Sequence, residues 1–293
     1  MSPTTSRAGQ AETVITGIDV MLAGELSAPS AYVFRSRGAH LVLHLPALIR
    51  PGGGSVRMPV LSFVARHPTE GPIVIDTGLH PEAAESLRRD YGPVLSQVFR
   101  TLQPAEQTFA EQLRGHGVEP SEVKLAVMTH LHADHTSGMR LLPEAEFVCT
   151  RREWAAATGR TAVLGGYASG HLPDESRMRL VDFHEDGQPY EPFARTIDLL
   201  GDGSIRLIST PGHTPGHLSV LLRLSGGRQV LLIGDAAYTL RSVHEQILPF
   251  FTTGDDRYRR SLRELKDFAD REPDATLVPF HDETAWRDVA APA

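Results

Sequence analysis

Residues 129–135 read Thr-His-Leu-His-Ala-Asp-His and follow the mostly apolar run Lys124–Met128. His130, His132, Asp134 and His135 are all suitable ligands for a borderline divalent cation such as zinc. An apolar run that stops abruptly at a polar cluster predicts a buried strand delivering its end to a sheet edge. Residues two apart on a strand share a face, so His130 and His132 point the same way. His135 adjoins Asp134, and the two project apart unless the chain turns. One short segment can therefore serve two neighbouring metal sites. The competing reading is a polar loop with several exposed histidines.

Three later segments have the same form. Ile205–Thr210 is an apolar strand followed by a Pro-Gly turn and His213. Gln229–Gly234 runs into Asp235, and Thr276–Phe280 runs into His281. In sheet-based folds, ligands collect where strands leave the packed core. One such ending is weak evidence; four together argue strongly for a metal centre.

The bulk properties narrow the class. A chain of 293 residues with 41% hydrophobic and 22% charged residues is ordinary for a globular protein with a sizeable core. No composition shift marks a linker, so the expectation is one domain over 13–293 behind a disordered tail at 1–12. The net charge of −7 argues against a dedicated nucleic-acid binder. No apolar run reaches about 18 residues, so no membrane span is expected. Cys149 is the only cysteine, which excludes an intrachain disulfide. It reads as a buried thiol and fits a reducing, cytoplasmic setting. The polar N-terminus predicts no signal peptide.

The coarse pattern is β-rich from Val14 to Ala65, with strands at Ala31–Phe34 and Leu41–Leu45 and a glycine-rich loop at 51–54. Val60–Ala65 and Pro72–Asp76 read as a hairpin around 68–71. Residues 81–116 read as helical with a break near Tyr91-Gly-Pro93, and Leu102, Phe109 and Leu113 contribute to one apolar face. A strand is expected at 146–150. Residues 151–195 read as an irregular insertion or cap, with a short helical piece near Arg152–Ala157. Ser261–Arg271 is an amphipathic helix presenting Leu262, Leu265 and Phe268. Two β-rich halves with helices suggest two packed sheets flanked by helices on both outer faces, with ligands meeting at the shared edge.

These residues resemble the metallo-β-lactamase superfamily, whose H-x-H-x-D-H motif is matched by His130, His132, Asp134 and His135. The family's later His, Asp and His are matched in order by His213, Asp235 and His281, and its early acidic turn by Asp76-Thr-Gly. The resemblance spans roughly Ala31 to Asp282. It implies an α+β fold, the four-layer αβ/βα sandwich, and a dinuclear site. His130, His132 and His213 would bind one metal, Asp134, His135 and His281 the other, and Asp235 would bridge them. Seven N/O side chains are too many for one tetrahedral zinc, whereas two ions about 3.5–4 Å apart can share them and hold a nucleophilic hydroxide. Zinc is the first choice, with cobalt, manganese or iron compatible.

Asp235-Ala-Ala-Tyr238 is similar to the Asp-x-x-Tyr pattern of N-acyl-homoserine lactonases in this superfamily, where the tyrosine hydroxyl bonds the substrate carbonyl and its developing oxyanion. The competing reading makes Tyr238 a packed aromatic. His217 reads as a structural histidine of its turn, and Asp76 as a group that orients a ligand histidine. His80, His116, His171, His184 and His244 carry no partner pattern. Ile247–Phe251 either lines an acyl pocket or packs against the Ser261–Arg271 helix. The implied function is a dinuclear lactonase opening N-acyl-homoserine lactones or similar lactones, a quorum-quenching activity, with Asp134 assisting proton transfer. The substrate is a small lactone or ester, and a homodimer is left open. Alternatives are a phosphotriesterase, a thioesterase or a pyridoxolactone-type lactonase of the same fold. A di-iron redox protein fits less well, because such members carry an acidic residue at the position of His132 and need a flavin-type donor.

Overall fold

Alternation along the apolar runs builds the architecture of the computed structural model, which describes residues 13–35, 55–97, 101–102 and 108–290. The strands are β1 (Gly17–Pro29), β2 (Ser55–His67), β3 (Gly71–Ile75), β4 (Thr101–Leu102), β5 (Leu125–Val127), β6 (Glu146–Thr150) and β7 (Met178–Val181), then β8 (Gln188–Tyr190), β9 (Phe193–Asp198), β10 (Ile205–Ser209), β11 (Leu218–Arg223), β12 (Gln229–Gly234) and β13 (Thr276–Pro279). They form two sheets, ordered β4-β1-β2-β3-β5-β6-β7 and β13-β12-β11-β10-β9-β8. The hairpin of β2 and β3 is antiparallel around 68–71, as its turn residues predict. β3, β5, β6 and β7 run parallel, which requires crossover connections.

Period-two side-chain placement sorts the core into layers. Phe63, Ala65, Ile73, Ile75, Val127 and Val148 of the first sheet pack against Leu207, Leu218, Val220, Leu222, Val230 and Leu232 of the second. Their strand neighbours Val64, Val74, Ala126 and Phe147 face outward onto Phe109, Leu113 and Trp154. On the opposite side Ile208, Leu221, Leu231 and Ile233 receive Leu262, Leu265 and Phe268. The order is helix, sheet, sheet, helix, the four-layer sandwich expected from the sequence.

The helices are α1 (Ser30–Val33), α2 (Pro81–Glu85), α3 (Leu87–Leu95), α4 (Phe109–Gly115), α5 (Ala133–Thr136), α6 (Arg151–Ala157), α7 (Leu240–Glu245), α8 (Asp255–Arg271) and α9 (Arg287–Ala290). Some expectations need correction. Ala31–Phe34 lies in and just after the turn of helix α1, not in a strand. Its polar backbone finds partners outside any ladder: Arg35 N–H donates to the Leu248 carbonyl, and Phe250 N–H to the Tyr32 carbonyl. A four-residue apolar run carries too little periodicity to separate these outcomes. Leu102 sits on β4 beside β1 and does not continue the helical face of Phe109 and Leu113. The 151–195 region is no detached insertion, because β7 extends the first sheet while β8 and part of β9 extend the second. Strands this short are nearly invisible to pattern reading. α8 begins six residues before Ser261, at Asp255, where its acidic first turn suits the helix dipole. The helical break falls at Gly92, whose φ is 80°. Cys149 is buried. The expected tail at 1–12, the strand at Leu41–Leu45 and the loop at 51–54 lie outside the described residues.

Phe63 and Phe280 join the two halves with ring centroids 4.9 Å apart, both fully buried. Phe63→Ala is expected to cost about 3–5 kcal/mol in chemical denaturation. A loss below about 1 kcal/mol would show that the sheets do not depend on this contact.

Candidate metal centre

Five strands end at one edge of the sandwich, and each hands over a polar side chain. Asp76 follows β3, the 129–135 cluster follows β5, His213 follows β10, Asp235 follows β12 and His281 follows β13. The seven side chains expected from the sequence meet there. The donor atoms of His130, His132 and His213 lie within 4.8 Å of one another, and so do those of Asp134, His135 and His281. Asp235 stands between the triads. Its Oδ2 is 3.3 Å from His213 Nε2, 3.2 Å from His281 Nε2 and 4.0 Å from His130 Nε2, while its Oδ1 is 3.6 Å from His135 Nε2. Asp134 Oδ2 approaches His135 Nε2 at 3.6 Å and His281 Nε2 at 3.5 Å.

The donor set fits divalent cations. Nε2 of His130 and His135 and Oδ1 of Asp235 are buried with no hydrogen-bond partner among the described residues. Such atoms are costly unless something else satisfies them. His132 Nδ1 and His213 Nε2 face each other at 2.9 Å, two nitrogens converging on one space. Burial holds His130 and His213 well below the ordinary imidazole range and lowers His132 to about 4, despite the acidic neighbours of the last two. These three are neutral donors at physiological pH. Burial also pushes His135 and His281 down, but the carboxylates around them win: His135 rises to about 10 beside Asp134, Asp235 and Asp76, and His281 rises beside Asp235 and Asp134. Burial raises Asp235, but the imidazoles of His281, His135 and His213 outweigh it and hold the carboxyl well below its usual range. Positive charge is thus favoured where a cation would sit.

The surrounding groups fix these rings. Asp76 Oδ2 accepts from His135 Nδ1 at 2.6 Å and from the Thr129 hydroxyl at 2.6 Å, while its Oδ1 accepts from Thr129 N–H at 2.7 Å. Asp76 therefore orients a histidine, as expected. His281 Nδ1 donates to the Pro59 carbonyl at 2.8 Å, leaving Nε2 for the site. His217 is no donor to the centre: its Nε2 accepts from Asp235 N–H at 3.0 Å and its Nδ1 engages Thr210 Oγ1 at 2.9 Å. Among the histidines left without a role, His171 is buried and bonded to Thr136 and to the Asp90 carbonyl, so it holds the helix beneath the site.

Tyr238 is buried with its ring centroid 5.6 Å from that of His213 and 5.5 Å from that of His281, against one histidine of each triad. Tyr32 lies 5.8 Å away, nearly stacked, and the two hydroxyls share a hydrogen bond. Burial raises Tyr238 well above the normal phenol range, with Tyr32 and Asp235 adding to it. The phenol therefore stays an O–H donor at neutral pH. In 247–251, Leu248 packs in the core beside Leu262, as the packing alternative expects, while Phe251 is exposed and meets the Tyr32 ring at 6.0 Å.

Sequence reasoning missed Glu153 and Tyr32. Glu153 is fully buried on α6. Its Oε1 accepts from Leu131 N–H at 3.0 Å and the Tyr167 hydroxyl at 3.1 Å, and its Oε2 accepts from Gly216 N–H at 3.0 Å. One carboxylate thus ties the 129–135 segment to the turn carrying His213. The available signal was Thr150-x-x-Glu153, a helix-start pattern: Thr150 does cap α6, but the glutamate is diverted to the loops. Gly216 allows the approach, since a Cβ there would stand 2.2 Å from Thr150 Oγ1.

The metallo-β-lactamase superfamily model matches residues 56–281, and the chain belongs to that superfamily. AttM of Rhizobium radiobacter, an N-acyl homoserine lactonase, is 32% identical over 259 residues, covering 87% of this chain and 94% of AttM. An N-acyl homoserine lactonase of Bacillus thuringiensis is 24% identical over 220 residues, covering 75% and 80%. Among solved structures, an N-acyl homoserine lactone hydrolase with N-hexanoyl-L-homoserine at its catalytic metal centre superimposes with a TM-score of 0.71 at 21% identity, over 96% of this chain and 98% of that one. AidC, a dizinc quorum-quenching lactonase, does so at 0.63 and 14% identity, over 93% and 90%.

Glu153→Ala strands two buried backbone N–H groups, each costing about 1–3 kcal/mol. The variant is expected to melt earlier and to retain less metal after dialysis against a weak chelator. Unchanged melting and metal content would remove Glu153 from the support of the site.

Proposed function

We propose that the protein is a two-metal lactonase acting on N-acyl-homoserine lactones or close relatives. His130, His132 and His213 would hold one ion and Asp134, His135 and His281 the other, with Asp235 available to both. The carrying observation is the pair of donor triads around Asp235, with Tyr238 against one histidine of each. The N-acyl homoserine lactonases among its relatives support the substrate class. The nitrogen-rich donor set favours zinc. Divalent ions bound there supply Lewis-acid polarisation of the lactone carbonyl and a water acidic enough to attack near neutral pH.

The chain's own groups supply the rest. Ring opening adds water across the ester: a carbon–oxygen bond forms at the carbonyl carbon, the ring C–O bond breaks, and the departing ring oxygen takes up a proton. The Tyr238 hydroxyl donates to the carbonyl oxygen as negative charge builds there. Asp134, whose side chain is 13% exposed against 3% for Asp235, is the carboxylate open enough to take a proton and return it to the leaving oxygen. Glu153 and Asp76 keep the donors in place, so little reorganisation accompanies the reaction. The reading treats residues 13–293 as one domain, supported by an inner core drawn from both sheets. It places the protein in the cytoplasm, consistent with a lone buried cysteine.

His132→Ala is expected to lose metal and lactone hydrolysis together; full activity in that variant would overturn the site assignment. Tyr238→Phe should lower kcat by about 100-fold with metal content intact, and an unchanged kcat would make the phenol a packing residue. Metal-loaded protein assayed on lactones of varied acyl length, thioesters and phosphotriesters should open lactones with the highest kcat/KM. Turnover of a thioester or phosphotriester alone would replace the substrate class and leave the metal assignment standing.

A further inference from the structure

Beside the metal centre lies an open cleft of about 690 Å³ that none of the seven donors nor Tyr238 lines. Its volume is that of a site for a small organic molecule. Arg151 and Arg152 reach it from α6, Arg195 from β9, and Arg257 and Arg260 from α8. Two carboxylates, Asp182 and Glu264, also line it, so the wall carries net positive charge in a chain whose formal charge is −7. The arginines are not consumed by internal ion pairs. Arg195 donates to the carbonyls of His184 and Gly187, and Arg257 to the Thr253 carbonyl. Arg260 stands near Glu264 of the same wall and stabilises its carboxylate, and Arg151 and Arg152 form no ion pair within 4 Å among the described residues.

Gathering like charges from three separate elements costs repulsion, and a concave, partly apolar wall focuses the resulting potential. Val181 and Phe183 supply that apolar surface. Guanidinium groups bind phosphoryl and carboxylate oxygens in bidentate fashion. We propose that this cleft is a binding site for a small organic polyanion of the size and charge of a sugar bisphosphate, distinct from the hydrolytic centre. Pro211, Pro215, Gly216 and His217 form part of its wall, so an occupant rests against the turn that carries His213.

Fructose 1,6-bisphosphate is a suitable probe, with fructose as its uncharged counterpart, titrated calorimetrically into metal-loaded protein at low ionic strength. The expected result is one bisphosphate per chain, no binding of fructose, and affinity at least about tenfold weaker in Arg152→Glu/Arg260→Glu. That variant should keep wild-type lactone turnover, since neither residue touches the metal centre. Should it fold poorly, Arg152→Gln/Arg260→Gln is expected to weaken binding in the same direction. Equal affinity in wild type and variant, binding of fructose as tight as the bisphosphate, or competition between bisphosphate and lactone would each overturn the proposal. The calorimetric readouts are independent of whether lactones are the true substrate, so failure of the lactonase reading would leave them standing.

Discussion

The Asp235 carboxylate is the electrostatic centre on which the site depends. It lies within 4.0 Å of imidazoles from His130, His135, His213 and His281, and those residues come from three separate strand ends. Burying one carboxylate would be costly, as would burying any of these rings alone. Together, and with divalent ions, they compensate one another. The same interaction joins the two halves of the sandwich, because His130 and His135 follow the first sheet while His213, Asp235 and His281 follow the second. Function and the packing of the two sheets therefore share one edge.

That edge tolerates little backbone drift. Gly234, immediately before Asp235, has φ 54°, and a Cβ there would stand 2.8 Å from His217 Nε2. Gly212, one residue before His213, has φ 146°, and a Cβ would meet the Tyr258 backbone at 2.4 Å. Tyr258 in turn donates its hydroxyl to the Asp235 carbonyl at 3.2 Å. The turn before His213 is thus pressed against the Tyr258 backbone and that before Asp235 against the His217 and Thr129 side chains, while the carboxylates of Glu153 and Asp76 pin the neighbouring segments. Contacts of this kind hold the candidate donors in place through the chain's own packing.

The convergence of the seven candidate donors was legible from sequence because each follows a strong apolar run, and a strand's end is where a buried chain first meets solvent or ligand. The sandwich was legible for a related reason: Phe63-Val64-Ala65 and Ile73-Val74-Ile75 alternate between two apolar layers. What escaped is long-range and side-chain specific. Nothing local to Glu153 says that its carboxylate serves Leu131 and Gly216 rather than its own helix. Tyr32 sits in a four-residue turn whose place is set by hydrogen bonds to Leu248 and Phe250, more than 200 positions away. β7 and β8 are too short to show a period, and sheet neighbours supply their order.

Tyr32 also changes what Tyr238 means. The hydroxyl of buried Tyr238 meets a second phenol, that of Tyr32, and not a backbone group, inside the apolar cluster beside the site. Burial raises Tyr32 to about 12, so both groups remain protonated; the Tyr238 O–H donates to Tyr32 here, and turning it inward requires Tyr32 to become the donor. The Tyr32 segment is anchored to the 247–251 loop by Arg35 and Phe250 backbone bonds and by the ion pair of Arg35 with Asp255 at 2.5 Å. The position of the Tyr238 hydroxyl is thereby tied to the 247–251 loop. A change at Phe251 or Arg35 therefore reaches Tyr238 through Tyr32 and not through the seven candidate donors.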